Sequence, residues 1–385
     1  MNSDRLNLKI YNHGFCKYKH MKNFGIDEII ILLGAGASCD AGIFNSAQMI
    51  SQIERKLNDR TWDKYKDLYQ YIKSVYFQKQ IFRGSNPNEV GFNIENLVGL
   101  LDIIVGIAKT DIDTYTFVGS WEKDLLPFIT KQREDNLVSN FKEEIIKELS
   151  GVWLSPRDWQ KKSSYYSNLK TLKNDLAGFP LKIFTLNYDL CLEHNLKNEK
   201  VESGFDENDD WNFRRYDYND PNKDTNFYLY KLHGSIDWER TNDGGLIRKV
   251  GDIKSENLAI IFGMTNKLQS YDPYFFYFYE FREHCLKAKL IVCSGYSFMD
   301  EHINDLIRHS LKDDSDKKLV INIWDEDKKE NSEQFKKEIT EKLKGKEEQI
   351  ILFNKKAEVF FNEDLRVELF ASLFKHDTEI LPVDF

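Results

Sequence analysis

Six short runs of Ile, Leu, Val and Phe punctuate the chain, and in each the apolar residues are consecutive rather than alternating. They are Ile29–Leu33, Leu181–Leu186, Phe227–Leu232, Leu258–Phe262, Leu290–Cys293 and Leu319–Trp324. A strand that is apolar on both sides is buried on both sides, the condition inside a parallel sheet covered by helices. Helical periodicity fills several of the intervals. The pattern predicts an α/β fold on a Rossmann-like, doubly wound parallel sheet.

The stretch 45–179 follows another rule. It has few strand-like runs and several amphipathic helical ones, clearest at Asn93–Val105 and Leu137–Leu149. It reads as a mainly helical insertion between the first and second core strands. Residues 203–226, rich in Asp, Asn and Tyr, read as a long loop. The expected division is an N-terminal arm (1–28), a core (29–44 and 180–330), the helical insertion (45–179) and a C-terminal cap or assembly element (331–385). That last segment carries a charged helix, a short strand near Gln349–Phe353 and an amphipathic helix near Leu365–Phe374.

Composition narrows the partners. A formal net charge of −9 argues against an exposed basic face that tracks nucleic acid. The five cysteines, Cys16, Cys39, Cys191, Cys285 and Cys293, form no Cys-x-x-Cys pair. Neither a zinc ribbon nor any other metal site is expected, and scattered thiols fit a reducing cytoplasm. The N-terminal residues lack a signal-type apolar run, and no later run is long enough to span a bilayer. The expected location is cytoplasmic.

Five strand ends carry the candidate chemistry. The first run leads into Gly34-Ala35-Gly36-Ala37-Ser38-Cys39-Asp40-Ala41-Gly42. Glycines at a strand-to-helix turn allow backbone N–H groups to approach a pyrophosphate, and the helix N-terminus favours the anion. The third glycine of the usual dinucleotide fingerprint is replaced by Cys39, and no Gly-Lys-Ser/Thr follows. The second run ends in Thr185-Leu186-Asn187-Tyr188-Asp189, where the Asn187 amide either orients a water or ribose hydroxyl or caps the next helix. The third ends in Leu232-His233-Gly234-Ser235, placing an imidazole able to act as a base directly beyond an apolar strand, unless it is a satisfied structural histidine. The fourth turn, Ser294-Gly295-Tyr296-Ser297, is small enough for close approach to phosphate or ribose. The fifth, ending at Asp325, offers an acceptor for ribose hydroxyls or a plain solvated strand end.

In this chain order the five motifs resemble the sirtuin family, and most of all its NAD-hydrolysing branch in bacterial antiphage defence. The resemblance covers roughly 29–44 and 181–325. It implies NAD as substrate, Asn187 and His233 as catalytic residues, and NAD contacts from Gly34, Ala35, Gly36, Ser38, Asp40, Gly42, Thr185, Asp189, Ser294, Gly295, Ser297 and Asp325. Deacylating sirtuins follow Gly-Ile with Pro-Asp-Phe-Arg, whereas Gly42-Ile43 here precedes Phe44-Asn45-Ser46. The family's Gln is Leu186, its Ile is Tyr188, and its four zinc cysteines have no counterpart. These departures point to hydrolysis of NAD without a metal rather than to protein deacylation. A non-catalytic NAD or ADP-ribose sensor is the third alternative. The resemblance further implies a HerA-type ATPase partner. A homo-oligomer is expected from the amphipathic stripe Leu365, Val367, Leu369, Phe370, Leu373 and Phe374, unless that helix covers the sheet, and from the aromatic run Tyr274–Tyr279.

Overall fold

The computed structural model describes residues 28–84, 90–109, 122–176, 179–218, 224–249, 251, 253–262, 272–324 and 332–374. The N-terminal arm, Cys16 and Asp325 lie outside these residues. Ten strands are described: β1 (Ile29–Leu33), β2 (Leu181–Thr185), β3 (Val201–Glu202), β4 (Phe227–Lys231), β5 (Gly234–Arg240), β6 (Leu246–Arg248), β7 (Leu258–Ile260), β8 (Leu290–Ser294), β9 (Lys318–Asn322) and β10 (Ile350–Phe353). Seven form one sheet in the order β10-β9-β8-β1-β2-β4-β3, and every pairing within it is parallel.

Each central strand divides its side chains between two cores. Ile29, Ile31 and Leu33 of β1 join Leu181 and Ile183, Leu290 and Val292 on one face, packed with helices of the insertion and with the C-terminal segment. Ile30 and Leu32 join Phe184, Tyr230, Ile291 and Cys293 on the other, packed under helices Tyr274–Lys287 and Glu301–Asp313. This two-sided burial is the physical reason for the unbroken apolar runs.

The insertion is helical as the periodicity predicts. Helix Ile94–Ala108 begins at Asn93, whose side chain accepts from Asn96 N–H in a reciprocal capping box, and helix Leu137–Glu148 follows the second clear pattern.

Three expectations need correction. The run Leu258–Phe262 is not a core strand. Its first three residues form β7 in a separate antiparallel sheet, β6-β5-β7, that begins where the left-handed Gly234 (φ 89°) turns the chain out of the parallel sheet. An isolated apolar run has the same composition in either sheet. Next, the strand expected in the C-terminal cap is β10, which pairs with β9 and extends the main sheet. Last, the stripe over 365–374 is consumed within the chain. Leu365, Val367 and Phe370 are buried in the first core, and Leu369, Leu373 and Phe374 pack against it. The helix covers the chain's own core, so the stripe no longer argues for an oligomer. The aromatic run divides: Tyr274 and Tyr277 are buried, and Phe275 and Tyr279 are exposed.

Candidate active site

Strand register brings the motifs to one level. Leu33 is opposite Thr185 on one side and Ser294 on the other; Thr185 is opposite Lys231, and Ser294 opposite Asn322. Gly34, Asn187, His233 and Gly295 lie one or two residues beyond that row, at the carboxyl edge of the sheet. From β1 the chain runs to β2, β3 and β4 on one side and later to β8, β9 and β10 on the other. The carboxyl edge at such a switch point is where open α/β sheets bind ligands.

On the β8 side the crevice wall is backbone. Gly34 N–H donates to Ser294 O (3.0 Å), Gly36 N–H to Gly295 O (2.9 Å), and Gly295 N–H to Asn322 O (2.8 Å). A Cβ on Gly36 would lie 2.8 Å from Gly295 Cα, and one on Gly295 (φ 66°) would lie 1.9 Å from Ala37 N. The sequence suggested that these glycines serve a pyrophosphate. In the structure they first serve the close crossing of two turns, and the Gly34 and Gly36 N–H groups are already committed there. Ala35, on the outer rim of the turn, is exposed. Beyond the turn the chain forms a 3-10 helix, Ala35–Ala41, closed by left-handed Gly42 (φ 84°), rather than a long α-helix with a full dipole.

On the β2 and β4 side the wall is made of side chains. Thr185 Oγ1 accepts Asn187 N–H (3.0 Å) and is itself buried. Asn187 Nδ2 donates to Ser38 Oγ (3.1 Å), while its Oδ1 is buried with no hydrogen-bond partner. Asp189, not Asn187, supports the next helix: its Oδ1 accepts Cys191 N–H (2.9 Å). His233 is 2% exposed, and its Nε2 is likewise buried without a hydrogen bond. Asp300 Oδ2 lies 3.3 Å from that nitrogen without making a hydrogen bond, and Glu95 Oε1 lies 3.9 Å from Nδ1. Tyr188 Oη donates to Ile261 O (3.0 Å) and lies 3.5 Å from Glu95 Oε1.

Beneath both loops sits Lys231, with Nζ 2.6 Å from Asp189 O and 2.8 Å from Glu193 Oε1. Burial alone would lower the lysine's pKa, but Glu193, Asp237 and Asp189 outweigh it and hold the ammonium above its ordinary value. Cys39 is no nucleophile at neutral pH, since burial pushes its thiol up to about 11.

The structure thus brings Gly34, Ala35, Gly36, Ser38, Thr185, Asn187, Asp189, His233, Ser294 and Gly295 to one carboxyl edge of the sheet. Asp40 turns to the C-terminal segment, accepting Glu358 N–H (2.9 Å), and Ser297 is exposed. Sequence reasoning missed Glu95 and Asp300, the carboxylates beside His233. Glu95 stands in the first turn of an insertion helix, and Asp300 caps Glu301–Asp313 by accepting His302 N–H (3.1 Å). Their only local signals were helix starts, which say nothing about a distant histidine.

Residues 181–343 match the family model of the SIR2-like domain. The match takes in Asn187, His233 and Gly295 and begins after the glycine-rich turn. Among solved structures, the chain is similar to a Sir2 homologue–NAD complex (12% identity, 90% of this chain and 92% of that chain, TM-score 0.39). It is also similar to a structure described as the structural basis for the mechanism and regulation of Sir2 enzymes (11% identity, 91% and 92%, TM-score 0.39). No curated protein matches the chain. No helix among the described residues is long and apolar enough to cross a membrane.

Proposed function

We propose that this chain is an NAD glycohydrolase that cleaves NAD to nicotinamide and ADP-ribose. One observation carries the reading: Asn187 Oδ1 and His233 Nε2 are both buried without hydrogen bonds at the carboxyl edge of a parallel sheet, within a span that matches a SIR2-like domain. Each such orphan costs roughly 1–3 kcal/mol, a cost a native fold bears where a ligand completes the bonds. A ribose with its hydroxyls, and a water beside it, is such a ligand.

The chemistry follows from these groups. The nicotinamide–ribose bond breaks, and nicotinamide leaves with the bonding electron pair. Positive charge develops at the anomeric carbon, near the Glu95 and Asp300 carboxylates that flank His233. Asn187 Oδ1 accepts a hydrogen bond from the attacking water. The water oxygen bonds to carbon, and His233 takes its proton, assisted by contact with the ribose hydroxyls. The turn Ala35–Ser38, with Ser294 and Gly295, flanks the phosphates.

In the same reading the enzyme works in the cytoplasm as an NAD-depleting effector of antiphage defence. Its activity is gated by a HerA-type ATPase or by self-assembly, because an ungated NAD hydrolase would kill its host.

Nicotinamide release from NAD, with no acylated peptide present, is the test. Release is expected, unchanged by EDTA, and His233→Ala and Asn187→Ala should each lower it by about 10²–10⁴-fold while circular dichroism shows a folded chain. Release that requires an acylated lysine peptide would make the chain a deacylase; binding without release would make it a sensor.

A further inference from the structure

Asn187 makes one side-chain hydrogen bond, and the partner sits in a short chain of hydroxyls. Ser38 Oγ lies 3.1 Å from Asn187 Nδ2 and 3.0 Å from Tyr166 Oη. Serine and tyrosine are 128 residues apart in sequence and are both fully buried. Tyr166 belongs to the 3-10 helix Ser163–Ser167 of the helical insertion, outside the SIR2-like match. Its ring is fixed by Tyr165 (centroids 4.7 Å) and by Phe361 of the C-terminal segment (5.1 Å). Burial holds its phenol well above the ordinary value, so the hydroxyl stays protonated at any working pH.

A side-chain amide is nearly symmetric in shape, and its function depends on which end faces the reaction. With Oδ1 inward, Asn187 accepts from water; with Nδ2 inward, it repels the water's protons. Sterics do not choose between these states. The Ser38 hydroxyl does, provided that its own proton is engaged elsewhere, because it then has only lone pairs to offer and selects Nδ2.

We infer that Tyr166 is a positioning residue for NAD cleavage. Its oxygen accepts a hydrogen bond from the Ser38 hydroxyl, so that Ser38 accepts from Asn187 Nδ2 and Oδ1 is held toward the reacting water. The helical insertion therefore completes the site rather than merely covering the sheet. The kinetic part of this inference rests on the NAD hydrolase reading; the hydrogen-bond relay does not.

The test uses the full chain and Tyr166→Phe, which keeps the ring and removes only the hydroxyl. Expected is a loss of about tenfold or more in kcat for nicotinamide release, with KM for NAD within about twofold, since the bond matters in the transition state and not in binding. In an Asn187→Ala background, Tyr166→Phe should cost nothing further, because it acts through that amide. Independently of activity, the Asn187 side-chain amide resonance in ¹⁵N-asparagine-labelled protein, assigned by its absence in Asn187→Ala, should shift in Tyr166→Phe. Unchanged kcat, or an equal loss in both backgrounds, would overturn the positioning role. An unmoved amide resonance would overturn the relay itself. Should the wild-type chain release no nicotinamide, the hydrolase reading and the kinetic role fall together, and the resonance alone decides the relay.

Discussion

The two walls of the crevice are built on opposite principles. The β1–β8 wall is backbone against backbone: Gly36 crosses Gly295 so closely that neither position has room for a methyl group, and its N–H groups are spent on the crossing. The β2–β4 wall is side chain against side chain, and it ends in two buried atoms, Asn187 Oδ1 and His233 Nε2, that make no hydrogen bond, the second with the Asp300 carboxylate 3.3 Å away. The first wall is closed by its own hydrogen bonds; the second, on the proposed reading, is completed by ligand. Substitutions in the first should therefore be read as losses of fold, and substitutions at Asn187 and His233 in the second as losses of chemistry.

The sharpest way to break this contrast is Gly295→Ala. The new Cβ would meet Ala37 N at 1.9 Å, at a backbone angle that only glycine adopts freely. Neither turn can retreat without losing its hydrogen bonds to the other. A loss on the order of 4 kcal/mol or more is expected, read as a lower denaturant midpoint or failure to accumulate folded protein. Near wild-type stability with weakened NAD binding would return these glycines to the pyrophosphate role first read from the sequence.

Lys231 tests the side-chain wall at its root rather than at its tip. Lys231→Met removes the cation that joins the loop after β2 to the end of β4 and leaves Glu193 beside an apolar side chain. Lys231 is buried and Glu193 partly exposed, so removing the cation should cost roughly 1–3 kcal/mol, less than breaking a fully buried pair. The pH dependence has a definite sign. The folded-state pKa of Lys231 is raised, so its contribution is fully present below the ordinary lysine range and fades only as pH climbs through the raised value. Wild type and variant should differ most at neutral pH and converge in alkali, as followed by urea denaturation across pH.

What could be read from the sequence follows the same division. β1 was legible to the residue because a strand buried on both faces leaves an unbroken apolar run. β5, with its mixed sequence Gly-Ser-Ile-Asp-Trp-Glu-Arg, and the short β3 and β6 carry no such signature and went unseen. The strand-end motifs singled out Asn187 and His233 as candidates, since each directly follows an apolar run. Glu95 and Asp300 approach His233, and Tyr166 approaches Ser38, from helices whose local sequences encode only a cap or a turn; only packing brings them there. The glycines were singled out for a pyrophosphate; the structure gives them another neighbour, the second turn, whose close crossing leaves no room for a Cβ.

Asp40 gives the smallest and most discriminating effect. Sequence order placed it among the NAD contacts. In the structure its Oδ2 accepts Glu358 N–H at the start of the helical segment Ala357–Asp364, the position of an N-cap acceptor. The same segment brings Phe361 against Tyr165 and Tyr166, so Asp40 ties the C-terminal region to the back of the glycine turn. As a cap, Asp40→Ala should lower stability by about 0.5–2 kcal/mol, and Asp40→Asn, which keeps the acceptor, by much less. KM for NAD should stay at the wild-type value in both, because the tie lies behind the turn rather than in the crevice. As an NAD contact, the same substitutions would raise KM and leave the unfolding midpoint in place. Thermal unfolding and steady-state kinetics on the two variants read opposite patterns for the two roles, and the pattern expected from this geometry is lowered stability with unaltered KM.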